Sequence, residues 1–317
     1  MRNPSDQRRP ATDEERYRAA ERDLWQSLGA RPTERRLDLR QNHVTVRLQE
    51  LGDGEPVVFI HGANTSGASW ASLASRLDGF RSIIVDRPGT GLSRPLVPAL
   101  DRRSIGRFAD TFVVDLLDAL ELERAHLVAT SFGGFIALRS VAAHPDRVNR
   151  MVQFSWPAGA PNSRLPAFMR IMSIPVLGRL LAELPANERT VRMAFGRIGH
   201  EASLDTGRIT EQDLACYLAL LRHTDTMRNE LALGRALISP LRGLNRVVLT
   251  DELLATVRTP TLFLWGENDP FGGVESARRV VGQMAGAELE MLAGAGHAPW
   301  LDDLDRCVRA TAAFLAR

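Results

Sequence analysis

Ser131 stands in the run Ala129-Thr130-Ser131-Phe132-Gly133-Gly134, between an apolar strand-like segment, Ala125 to Ala129, and a helix-like stretch, Phe135 to Ala142. A serine on a sharp strand-to-helix turn, with small residues two positions to either side, matches the pattern G-x-S-x-G, which presents a hydroxyl as a nucleophile. The small residues have a physical reason. The turn strains the serine backbone, and strand and helix pass too closely to admit a branched side chain. Gly133 meets that demand fully, whereas Ala129 departs from it by one methyl group. A serine hydroxyl still needs a base, an acid to orient the base, and donors for the oxyanion.

Seven histidines compete for the role of base. His297 stands out because a strand-like run, Glu288 to Leu292, and a small-residue turn, Ala293 to Gly296, lead into it. That places it on a loop at a strand's C-terminal end, where open parallel sheets put their chemistry. Thr261 to Trp265 reads as a buried strand, and Asp269 on the loop after it can accept the His297 ring N–H and hold its tautomer. Glu267 is the alternative acceptor; Ser155-Trp156, after the preceding strand, offers no carboxylate. Val57 to Ile60 is an apolar strand from which His61-Gly62-Ala63-Asn64 turns out. Backbone N–H groups of Ala63 and Phe132 are expected to converge on the developing alkoxide. His61 reads as a turn residue rather than a second base. The Asp86 to Ser93 loop has neither a G-x-G-x-x-G run nor a P-loop lysine, so it reads as a structural turn in which Asp86 fixes backbone amides.

These pieces resemble the α/β-hydrolase superfamily, in its capped branch of small-molecule serine hydrolases. The matching segments are His61-Gly62, Asp86 to Ser93, the Ser131 turn, Gly266 to Asp269 and Gly296-His297. They span roughly residues 36 to 317. The order Ser131, Asp269, His297 is the order used by that fold. The resemblance implies a catalytic triad of those residues, an oxyanion hole at Ala63 and Phe132, and neither metal nor organic cofactor. Related epoxide hydrolases and haloalkane dehalogenases use an aspartate nucleophile, so the serine at 131 argues against those chemistries.

The elements that must position these residues follow from patterning. Asp13 to Leu28 reads as an amphipathic helix, with Tyr17, Leu24 and Leu28 towards one face, packed on the body. Residues 1–35 then form a charged arm, its first ten residues expected to be disordered. Leu37 to Leu39 and His43 to Leu51 alternate as an antiparallel hairpin should. A βα rhythm continues to Val148–Phe154, stops, and resumes at Thr261. The expected architecture is a mostly parallel eight-stranded sheet with flanking helices, residues 36–156 and 251–317. Residues 157–250 show only helical periodicity, with candidate helices at 167–172, 176–184, 188–195, 211–222 and 226–238, and read as a helical cap inserted after strand six. Asn64, Trp156, Phe168, Met172, Phe195 and Tyr217 are the candidate pocket residues, with Met169 and Met193 beside them.

The chain has 317 residues and a net charge of +2, which gives no basic footprint for nucleic acid. All 40 basic residues are arginine, so mechanisms in this fold that use a pocket lysine, as in hydroxynitrile lyases, are excluded. Cys216 and Cys307 are expected as free, packed thiols. Residues 1–20 lack an apolar segment and no run suits a membrane span, so a cytoplasmic protein with a small-molecule partner is expected. The function expected from these parts is hydrolysis of a small, largely apolar carboxylic ester or related acyl compound through an acyl-enzyme. Carbon–carbon hydrolysis of a ring-cleavage product uses the same parts and is the alternative, as is a ligand sensor on this fold. An arginine turned into the pocket, from Arg170, Arg189, Arg192 or Arg222, would favour a carboxylate-bearing substrate instead.

Overall fold

The computed structural model describes residues 11–160, 170–171, 173–174, 176, 185–239, 243–244 and 249–317. Helix α1 (Asp13–Ser27) begins with a capping box, Thr12 accepting the Glu15 N–H and Glu15 accepting the Thr12 N–H. The hairpin β1 (Thr33–Leu39) and β2 (Val44–Leu51) is antiparallel. Then come β3 (Glu55–Ile60), α2 (Ala71–Ala74), β4 (Phe80–Val85) and α3 (Ile105–Ala119). β5 (Ala125–Thr130) runs without a gap into α4 (Ser131–Ala143), and β6 (Val148–Pro157) follows.

After β6 the alternation stops. Helices α5 (Glu188–Arg197), α6 (Glu201–Asp205), α7 (Glu211–His223) and α8 (Thr226–Leu237) are followed by a minimal antiparallel pair, β7 (Ile238–Ser239) and β8 (Gly243–Leu244). That pair corrects the all-helical expectation: a two-residue strand is too short to leave a period-two pattern. The expected helices 167–172 and 176–184 fall largely outside the described residues. The rhythm resumes with α9 (Asp251–Thr256), β9 (Thr261–Gly266), α10 (Val274–Gly282), β10 (Glu288–Leu292) and α11 (Leu304–Leu315).

One eight-stranded sheet has the order β1-β2-β4-β3-β5-β6-β9-β10. β2 is antiparallel to both neighbours, and the other pairings are parallel. Parallel strands covered on both faces bury every side chain. All of β5 and β9 are buried accordingly. On one face α3 lays Ile105, Phe108, Phe112, Leu116 and Leu117, at helical spacing, against α4 and the sheet. Tyr17, Leu24 and Trp25 of α1 share the opposite core with Trp70, Cys307 and Phe314. The C-terminal ends of β3, β5, β6, β9 and β10 therefore open on one edge, which gathers the site. Cys216 and Cys307 are free and buried. Among the described residues no helix is long and apolar enough to cross a membrane.

Candidate active site

Ser131 has a backbone φ of +52°. A non-glycine residue reaches that left-handed region only at a cost, and the surroundings hold it there. A Cβ on Gly133 would fall 2.1 Å from the Ile60 carbonyl oxygen and 2.7 Å from that of His61. Those neighbours are backbone and cannot swing aside, so only glycine lets α4 start this close to β3. The Ser131 carbonyl accepts the Ala158 N–H at 2.8 Å. The Phe132 N–H lies in the first turn of α4, and neither it nor the Ala63 N–H has a partner among the described residues. The Phe132 ring is buried and stacks on Phe135 with centroids 5.6 Å apart, so its side chain belongs to the core and not to the cavity wall.

His297 Nδ1 lies 2.9 Å from Asp269 Oδ2, and the Asp269 side chain is fully buried. The same Oδ2 accepts the Trp156 N–H at 3.0 Å, while Oδ1 accepts the Phe271 N–H at 2.9 Å. The carboxylate is thereby aimed and satisfied on both oxygens. Phe271 packs edge-on against the His297 ring at 4.5 Å and stacks on Trp156 at 5.3 Å. The His297 loop is itself clamped. Asp302 Oδ2 accepts the Gly296 N–H at 2.8 Å, the Ile198 carbonyl accepts the His297 N–H at 2.9 Å, and His200 Nε2 accepts the Ala298 N–H at 3.1 Å. His200 Nδ1 lies 2.9 Å from Asp302 Oδ2. Because Nε2 accepts, the proton sits on Nδ1 and points at that carboxylate.

Ser131 and His297 line one cavity of about 290 Å³, although among the described residues no hydrogen bond joins them. Such contacts often tighten only with substrate in place. Ala63, Asn64, Trp156, Phe195 and Tyr217 line the same cavity; Asp269 lies behind His297 rather than in the wall. Phe195 meets Tyr217 edge-on at 5.3 Å. Burial, and then the Glu230 carboxylate, push the Tyr217 phenol up to about 12, so it stays protonated. Phe168, Met169 and Met172 fall outside the described residues. Met193 does not line the cavity and is 46% exposed. His61 is buried, and burial followed by the Arg87 charge lowers its pKa well below the ordinary value. It accepts the Arg87 N–H through Nε2 at 3.0 Å, as a turn residue should.

Among the wall residues that escape the sequence reading are Leu24 from α1, Arg197 at the end of α5, Asp213 on α7, and Phe271. Arg197 lies one helical turn after Ala194, also in the wall, but that period alone does not say whether the shared face meets a cavity or a core. It makes no hydrogen bond or ion pair among the described residues. Arg192 is instead bound to Glu188 and Glu211, and Arg222 donates to the Ala186 carbonyl. Burial raises the Asp213 pKa against its bonds to Thr210.

The alpha/beta hydrolase family model matches residues 57–310, and the chain belongs to that family. It is similar to 2-hydroxy-6-oxononadienedioate/2-hydroxy-6-oxononatrienedioate hydrolase of Cupriavidus pinatubonensis, 29% identical over 265 residues, covering 80% of this chain and 85% of that protein. It is also 29% identical, over 262 residues, to 2-hydroxy-6-oxo-6-phenylhexa-2,4-dienoate hydrolase of Comamonas testosteroni, covering 80% of this chain and 86% of that one. The solved hydrolase of that second name from Rhodococcus sp. strain RHA1 superposes with a TM-score of 0.74 at 19% identity, covering 90% of this chain and 99% of its own. These relatives overturn the expectation of an uncharged carboxylic ester, because their named substrates are acids bearing a ketone and no ester bond. Serine, histidine and aspartate at three strand ends serve either chemistry, which is why motif order could not separate them.

Proposed function

We propose that this protein is a carbon–carbon bond hydrolase acting on a 2-hydroxy-6-oxo dienoic acid, with Ser131 as nucleophile. His297 is its base, Asp269 orients that base, and the Ala63 and Phe132 amides form the oxyanion hole. Arg197 carries the reading. It is the single arginine among the described residues of the cavity wall, exposed and without a hydrogen bond or ion pair among them, and a guanidinium there can take a substrate carboxylate. The names of the relatives support the same substrate class.

The chemistry follows from the substrate. An acid with a ketone but neither ester nor amide can be hydrolysed only by adding water across a carbon–carbon bond. Moving the proton of the 2-hydroxyl to C5 gives a 2-oxo-3-ene acid in which C5 is flanked by C6=O and a conjugated enone. Ser131 Oγ then bonds to C6 as His297 takes its proton, and the C6 oxyanion is held by the two amides. As C5–C6 breaks, its electron pair spreads through C3–C4 onto the C2 oxygen, and His297 returns its proton to the leaving fragment. Water, deprotonated by His297, releases the C6 acyl group as a carboxylic acid and regenerates Ser131.

Turnover of 2-hydroxy-6-oxo-6-phenylhexa-2,4-dienoate, followed by loss of its conjugated absorption and appearance of benzoate, tests the proposal. Arg197→Gln is expected to raise KM about 10- to 100-fold, the value of a charge-assisted hydrogen bond, with a smaller change in kcat. Absence of turnover, or an unchanged KM in Arg197→Gln, would count against the reading.

A further inference from the structure

The Asp86 to Ser93 loop carries a buried charge that the triad does not use. Arg87 is 2% exposed. Its Nε donates to the His61 carbonyl at 3.0 Å, and its Nη2 donates to the Gly62 carbonyl at 2.8 Å and to the Glu230 carboxylate at 3.1 Å. The guanidinium also lies 4.8 Å from the centre of the Phe132 ring. Glu230 comes from α8, beyond β6, and is 6% exposed; its Oε2 accepts the Asn64 N–H at 2.9 Å.

The Gly62 carbonyl and the Ala63 N–H belong to one planar trans peptide, so they point in opposite directions. The Gly62 oxygen takes Arg87 Nη2 at 2.8 Å, His61 Nδ1 at 2.8 Å and Thr65 Oγ1 at 3.0 Å. With that oxygen committed, the Ala63 N–H is turned the other way, onto the Ser131 cavity that Ala63 lines. A cation on the carbonyl oxygen also draws charge from the N–H of the same peptide and makes it a stronger donor. On the far side Asn64, at φ +58°, is fixed through its own N–H by Glu230. A buried arginine needs a counter-charge to remain in place, and the only carboxylate bonded to Arg87 among the described residues is Glu230.

We propose that Arg87 is a positioning residue that orients and strengthens the Ala63 donor, and that Glu230 seats it. The oxyanion hole is then complete only while α8 is docked on the sheet. The inference rests on the oxyanion role proposed above for Ala63.

The test uses the full chain with Arg87→Met, Arg87→Lys and Glu230→Gln. Loss of a whole oxyanion donor costs about 10²–10³ in kcat; misaiming one is expected to cost about 10- to 100-fold in Arg87→Met. Glu230→Gln, which keeps a hydrogen-bonding partner for Arg87, is expected to cost less, about 3- to 10-fold, below the loss of a whole donor. KM should stay within about twofold, and Arg87→Lys, which keeps a cation for the Gly62 oxygen, should recover part of the loss. An aryl boronic acid, whose tetrahedral serine adduct presents an anionic oxygen, should lose affinity by the same factor as kcat. The dissociation constant of the phenyl dienoate, measured in a Ser131→Ala background, should not move. Glu230→Gln keeps the shape of the site and serves where Arg87→Met does not fold. Wild-type kcat and boronate affinity in the folded variants would overturn the proposal, as would equal losses of boronate and substrate affinity. Continued turnover by Ser131→Ala itself would instead remove the catalytic reading on which the proposal stands.

Discussion

Ser131 stores strain where the chemistry needs it. Its φ of +52° goes with a close approach of α4 to the β3 backbone that only Gly133 permits, and Ser131 lines the cavity with His297. Ser131→Ala and His297→Ala should each lower kcat by about three decades or more while the fold persists. Circular dichroism checks the fold, and labelling of any other residue by a fluorophosphonate would contradict the assignment. Gly133→Ala is the sharper probe of the turn. Its methyl would lie 2.1 Å from the Ile60 carbonyl, so β3 or α4 must shift. A cost of about 1–3 kcal/mol is expected from such overpacking, together with lost activity because the same shift displaces Phe132. Urea unfolding beside kcat measures both, and an active alanine variant of unchanged stability would show that the elbow has room. At this scale the placement of Ser131, Asp269 and His297 was legible because each comes at or shortly after the C-terminal end of a strand-like run. Arg197 and Phe271 were not. A residue facing a cavity between two helices has the same period as one facing a core, and sequence does not say which side is empty.

The segment between α5 and α6 acts on the His297 loop as a clamp. Ile198 and His200 take the amides of His297 and Ala298, and Asp302 takes that of Gly296 and holds the His200 ring. Gly199, at φ +92°, passes so close that a Cβ there would sit 2.9 Å from the Gly296 Cα. His200→Ala leaves the Ala298 N–H without a buried acceptor, at about 1–3 kcal/mol. It should also lower kcat about tenfold, since small displacements of a positioned base are costly. A His200→Ala variant with wild-type kcat and stability would show that the loop holds itself. The strands, the hairpin and α3 were readable from alternation and helical spacing. This clamp was not, because its partners are a carbonyl, a ring nitrogen and a carboxylate distant in sequence.

Across the molecule, α1 belongs to the site as much as to the N-terminus. Leu24 lines the cavity, and Tyr17 bonds Ser66 at 2.9 Å beside it. The helix is pinned by buried charge: Arg47 on β2 meets Glu21 of α1 at 2.8 Å and Asp86 at 3.3 Å, with Glu34 at 3.0 Å on its outer side. Amphipathic patterning predicted that α1 packs on the body, but a charge at Glu21 reads as a solvated face until Arg47 is found opposite. Burial raises the Glu21 pKa against the pull of Arg47. Arg47→Met should cost about 3–5 kcal/mol by stranding the carboxylates, and pairing it with Glu21→Met should return part of that. Glu34 gives the pH test. Burial alone would raise its pKa, but Arg18 and Arg47 win and hold it at about 2, against 4.5 for a free glutamate. A carboxylate depressed in the folded state stabilises fully above its unfolded pKa and loses that contribution as pH falls through the folded value. Wild-type stability should therefore decline between about pH 4.5 and pH 2, and Glu34→Gln, weaker at neutral pH, should lose less across that window. Urea midpoints at pH 7, 5, 4 and 3 read the difference, and parallel acid limbs would show that Glu34 does not fasten α1 to the sheet.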